Sequence, residues 1–109
     1  MSQVIKDNDD FQTALSLYFR NREKCNLKYG KIEEWDTSNV TDMSKALKNK
    51  YYFNKDISGW NVSNVTNMEC MFYGCKNFNQ DISKWNGIEM QNMLEGATLY
   101  TYDKPVTKW

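Results

Sequence analysis

Apolar residues near the start of the chain follow a helical rhythm, whereas those after residue 32 return at a fixed long interval. Phe11, Ala14, Leu15, Tyr18 and Phe19 fall at i, i+3, i+4, i+7 and i+8. This spacing predicts an amphipathic helix from Asp9 to Lys24. Asn8 or Asp9 is placed to cap it, and acids fill its first turn. Arg20, Arg22 and Lys24 suit the negative end of its dipole. Gly30 offers a stop before the next segment.

Beyond that point Trp35, Trp60 and Trp85 are spaced by 25 residues. The first unit reads WDTSNVTDMSKALKNKYYFNKDISG and the second WNVSNVTNMECMFYGCKNFNQDISK. Between them Val40 matches Val65, Met43 matches Met68, Phe53 matches Phe78 and Ile57 matches Ile82. Ile32, Ile57 and Ile82 each stand three residues before a Trp, as Val106 does before Trp109. The third unit opens WNGIEMQNM, keeps Met93 at the 25-residue spacing, then decays and reaches Trp109 after 24 residues. Self-similarity at one period is the mark of stacked structural units.

Within a unit the large apolar residues are three or four apart, with one gap of two between Trp60 and Val62. The intervening Asn, Thr, Ser, Asp and Gly weaken helices. A chain that turns a corner every few residues and sends one side chain inward at each fits this pattern. The segment from Ile57 to Asn64 approximates the L-x-x-L-x-L-x-x-N of a leucine-rich repeat. The expected fold class is therefore an α+β repeat solenoid. An N-terminal helical cap (1–31) precedes about three leucine-rich-repeat-like coils (32–109) with short parallel strands around Trp60–Val62 and its equivalents. Met68–Cys75 is expected to form a helical or 3₁₀ turn on the opposite side, and the whole to be one structural domain. Trp35, Trp60, Trp85, Ile32, Ile57, Ile82, Val40, Val65, Met43, Met68, Met93, Phe53 and Phe78 form the predicted core ladder.

The strings WDTSNVTDM, DISGWNVSNVTNM, MFYGC and FNQDISKW make the chain similar to the BspA-like repeat family. Its 25-residue units occur in mycoplasma lipoproteins, bacterial surface proteins, algae and large double-stranded DNA viruses. The resemblance covers Ile32 to about Trp85 well and the rest poorly. It implies a leucine-rich-repeat-like scaffold used for adhesion or protein interaction, with no catalytic residues to transfer. The expected setting is intracellular (cytoplasm, nucleus or virion), in a viral protein acting on host components.

Composition narrows the chemistry. Aromatics make up 15% of the chain, too many for a disordered segment. Lys and Arg number 14, as do Asp and Glu, so no global field favours nucleic acid. No apolar run approaches the ~20 residues that span a bilayer, and the first residues lack the pattern of a secretory signal. With no His, the commonest general base and metal ligand is absent. No catalytic residue, cofactor or metal is expected. Cys25, Cys70 and Cys75 are one ligand short of a closed zinc site and read better as reduced, packed thiols. Three Asn-x-Ser/Thr triplets, at Asn39, Asn61 and Asn64, recur with the unit and read as structural.

Positions where units differ bear more on function. Tyr51, Tyr52 and Tyr73 stand where the neighbouring unit has Lys76, Asn77 and Lys48. They are candidate anchors for a protein partner of unknown identity or ordinary surface tyrosines. Tyr100, Tyr102 and Trp109 lie on the degenerate last unit, which either caps the stack or pairs with a second copy as a homodimer. The expected function is a non-enzymatic protein–protein interaction module. A self-assembling virion or envelope component and a surface adhesin are the alternatives.

Overall fold

The helical segment forms as two helices. In the computed structural model, which describes residues 4–85 and 93–101, α1 spans Asn8–Arg20 and α2 spans Arg22–Tyr29. Asn21 divides them, with φ −155° and ψ 89°, and it serves both ends. Its backbone N–H closes α1 on the Leu17 carbonyl at 2.7 Å, while its side chain accepts from the Lys24 N–H at 3.1 Å to start α2. The single helix expected from Asp9 to Lys24 is corrected accordingly. Asn is a good cap on either side, and here it takes both roles.

The N-cap of α1 is Asp7, whose carboxylate accepts from the Asp10 N–H at 2.8 Å. Asn8, expected as a cap, instead ties the helix to the first unit. Its Oδ1 accepts from the N–H groups of Thr41 (2.9 Å) and Asp42 (3.2 Å), and its Nδ2 donates to Thr41 Oγ1 at 2.9 Å. Phe11, Ala14, Leu15 and Tyr18 are buried, so the predicted face is the packed one. Gly30, at φ 78°, ends α2 in the left-handed region that glycine adopts without strain.

No strand forms among the described residues. Only Val4–Asp36 and Asp42–Asn67 meet as isolated parallel bridges. The expected α+β solenoid with parallel strands is overturned: the fold is a pair of helices and a 3₁₀ turn (Ile32–Glu34) on a body built of turns. The radius of gyration, 13.0 Å, is that of a compact globule of this length, about 13 Å, and the extents are 36 × 27 × 20 Å.

The backbone hydrogen bonds show why strands are absent. In the first unit Met43, Lys45, Leu47 and Asn49 donate to carbonyls of the second, at Asn67, Glu69, Met71 and Tyr73, over 2.7–3.0 Å. The residues between them turn back instead, Ala46 to Met43, Lys48 to Lys45 and Lys50 to Leu47. Alternate N–H groups thus serve the next unit and the local turn. A ladder needs extended residues throughout, and here Lys45 (φ 58°), Asn49 (φ 63°) and Cys70 (φ 59°) are left-handed. Around Trp60 the same holds: Trp60 N–H bonds Ile57, and Val65 N–H bonds Val62. Asn61 closes an Asx turn on Ser63 between them.

The third unit is in a different register from the one its methionine suggests. Leu47 donates to Met71, and its equivalent Phe72 donates to Met93; Asn49 donates to Tyr73, and Gly74 donates to Glu95. Met93 therefore takes the place of Met71, not of Met68, and the spacing falls from 25 residues to 22. Other pairs agree. Phe53 stacks on Phe78 at 6.2 Å, and Phe78 stacks on Tyr100 at 6.0 Å. Asn54 Oδ1 accepts from the Asn79 N–H, and Asn79 Oδ1 from the Thr101 N–H.

Every residue of the core ladder is buried, each 5% exposed or less. Trp35 and Trp60 stack at 6.0 Å with planes 8° apart. The Trp60 indole N–H reaches back to the Ile32 carbonyl at 2.8 Å and that of Trp35 to Gly30 at 3.0 Å. α1 lies across this row, with Phe11 edge-on to Trp60 at 5.7 Å and Tyr18 edge-on to Trp35 and Phe53 at 6.4 Å.

Candidate functional site: a basic, aromatic groove

Tyr51 and Tyr52 follow the run of turns in the first unit, and Tyr73 lies next to last in the same run of the second. Tyr52 is 87% exposed, Tyr51 51% and Tyr73 37%. Two of the three meet the lysine that replaces them in the adjacent unit. Lys76 Nζ lies 5.6 Å from the Tyr51 ring centre, and Lys48 Nζ lies 5.5 Å from that of Tyr73. Such cation–π pairs contribute about 0.5–1 kcal/mol at exposed sites and hold the rings upright. Among the described residues Tyr52 has no such partner, and of the three it is the most exposed.

Tyr51 and Tyr52 form one wall of a groove of about 320 Å³, whose other side is α1 and the start of α2 through Tyr18, Phe19 and Arg22. Phe53 lies at its base, with Lys50 and Lys55 on its rim. Across Phe19 and Lys50, which line both, a second opening of about 500 Å³ runs between α1 and the first unit, past Arg20, Lys45 and Lys48. Phe19 was expected on the packed face of the helix. It is 36% exposed, edge-on to Phe53 at 6.2 Å, with Lys50 Nζ 4.5 Å from its ring centre.

Charge is segregated here. Among the described residues the two openings are lined by Arg20, Arg22, Lys45, Lys48, Lys50 and Lys55 and by no acid, although the whole chain carries equal numbers of each sign. The Arg22 guanidinium sits 4.8 Å from the Tyr18 ring centre. Tyr18 is buried, its hydroxyl has no hydrogen-bond partner among the described residues, and burial pushes its pKa up against the opposing pull of Arg22. Sequence reasoning assigned Arg20 and Arg22 to the helix dipole and missed the four lysines. Four lysines within residues 45–55, at positions 45, 48, 50 and 55, were the available signal.

Elsewhere the candidates are structural. Cys75 is buried, donates to the Leu47 carbonyl at 2.9 Å, and burial raises its thiol to about 11. Cys25 is buried against Ala14 O, also with a raised pKa from burial. Cys70 is half-buried. Among the described residues no three His, Cys, Asp or Glu side chains gather as a metal site, and no helix is long and apolar enough to cross a membrane. Asn61 and Asn64 hold local turns and the neighbouring unit, Asn64 donating to Ser38 O at 2.7 Å. Tyr100 is half-buried on Phe78; Tyr102, Val106 and Trp109 lie outside the described residues.

A turn-built body with a helical pair and an open basic groove defines a class by architecture rather than by chemistry. The chain belongs to the DUF285 family, mycoplasma proteins of unknown function, whose profile matches residues 13–109. That match carries neither a leucine-rich-repeat architecture nor a viral origin. No curated protein and no solved structure matches the chain.

Proposed function

We propose that this protein is a non-enzymatic protein–protein interaction module. The observation that carries the reading is the exposure of Tyr51, Tyr52 and Tyr73 at positions where the units differ, beside an open groove. Tyrosine anchors contribute large contact area at low entropic cost and are enriched where binding energy concentrates. The buried rows of Trp, Ile, Met and Phe give those anchors a rigid base. The strings shared with BspA-like proteins, used in adhesion and interaction, support the same reading.

A photo-crosslinking amino acid at Tyr52 in the full chain, expressed in the source cell, tests it. A discrete protein adduct is expected, lost when Tyr51 and Tyr73 are changed to Ala. Leu27, 84% exposed and absent from the groove lining, is the control position. The same adducts from both positions, or none from Tyr52, would overturn the proposal. An adduct of the chain with itself would favour self-assembly.

A further inference from the structure

We infer that the partner offers an acidic peptide segment, which lies across Phe19 and Lys50 with an apolar side chain on the Phe19–Phe53 wall and carboxylates on the surrounding bases. This rests on the interaction reading above and names the chemistry of the occupant. Three observations carry it.

The first is charge. Among the described residues, Arg20, Arg22, Lys45, Lys48, Lys50 and Lys55 line the two openings without a single acid, in a chain of zero net charge. Like charges gathered on one face repel one another, and an acidic partner relieves that repulsion. The second is shape. The openings share a ridge at Phe19 and Lys50, so an extended segment that crosses the ridge reaches both sets of bases. The third is apolar surface. Phe19 is partly exposed and backed by buried Phe53, which gives one hydrophobic contact amid the cations, with Tyr51 and Tyr52 alongside. A buried apolar anchor within a charged rim is the usual division of labour in peptide recognition.

A polynucleotide is the competing occupant, because bases also stack on tyrosines. It is disfavoured by the charge balance: nucleic-acid affinity comes mainly from phosphate neutralisation, and with 14 acids against 14 bases a long polyanion would be repelled beyond the groove.

The test uses the full chain and fluorescence polarisation of a fluorescein-labelled peptide of Asp and Glu residues around one central Phe. Binding is expected at low salt, weakening as NaCl rises from about 50 to about 300 mM. Lys45→Glu with Lys50→Glu should weaken it roughly tenfold or more, and Phe19→Ala roughly tenfold. Lys31→Glu with Lys84→Glu makes the same change in net charge away from the groove and should leave affinity within about twofold. Lys48→Glu with Lys55→Glu is read in parallel, so a folding defect in one pair leaves the other to decide. Equal losses from the groove and control pairs, no peptide binding, or tighter binding of oligouridylate than of the peptide would overturn the inference. The crosslinking experiment separates this failure from that of the wider reading. An adduct at Tyr52 that survives both groove reversals leaves an interaction module whose partner is not acidic.

Discussion

Trp60 links α1 to both the first and the second unit. It is 3% exposed, stacks on Trp35, receives the Phe11 ring edge-on, and donates its indole N–H to Ile32 O at 2.8 Å. Trp60→Ala removes the packing and leaves the Ile32 carbonyl only its longer bond from the Trp35 N–H, at 3.4 Å. Truncation of a buried Trp costs about 3–5 kcal/mol. A chain of this length has about 5–16 kcal/mol in total, so the variant should lose at least about 12 °C of Tm. Trp85 provides the internal comparison. Among the described residues it makes one ring contact, with Phe72 at 6.2 Å, and a longer hydrogen bond of 3.3 Å to Ser58 O. Trp85→Ala should therefore cost less, about 3 kcal/mol. Thermal and urea unfolding followed by circular dichroism measure both. A Trp60→Ala melt within about 5 °C of the parent, or a Trp85→Ala that unfolds first, would refute the reasoning.

Four further outcomes are expected. Asn21→Ala loses the side-chain cap of α2 but keeps the backbone N–H that closes α1, and should cost about 1 kcal/mol in urea unfolding. Gly96→Ala should cost more than its surface position suggests: at φ 83° a Cβ would meet the Gly74 backbone N at 2.8 Å, whereas Gly59, with open space, tolerates Ala. Asp36 and Asp81 each accept two hydrogen bonds from a serine, which hold their carboxyls below the usual carboxylate range. Their contribution is complete above the unfolded value and lost as pH falls below it. Melts in acid should therefore decline below about pH 4, and less steeply in Asp36→Asn. At pH 8 only Cys70 should label with iodoacetamide in the folded chain, because burial keeps the Cys75 and Cys25 thiols protonated and covered; mass spectrometry of the labelled peptides decides.

The buried residues were the legible part of this molecule, because inward positions recur with the unit and carry Trp, Ile, Met and Phe. What the chain does between them was not legible. The gap of two at Trp60–Val62 looks like strand alternation, yet it spans a corner that Asn61 closes with its own side chain. Left-handed backbone at Lys45 and Cys70 has no signature in residue type, and it is what converts the run into turns. Asn21 reads as one polar position on a helix, and only geometry shows it ending one and starting another. Met93 matched the wrong partner because methionines stand at both 68 and 71. The groove escaped notice for a different reason: its bases come from two segments that only folding brings together.

The shortening of the third unit separates two halves that sequence alone presents as a single cassette. Three residues are missing between Trp85 and Met93, yet Met93, Glu95, Leu99 and Thr101 dock on the preceding unit as if nothing had been removed. A shorter flank is therefore compatible with a far side that stays locked to its neighbour. A search for relatives that demands a constant period would pass over members that differ by nothing more than this.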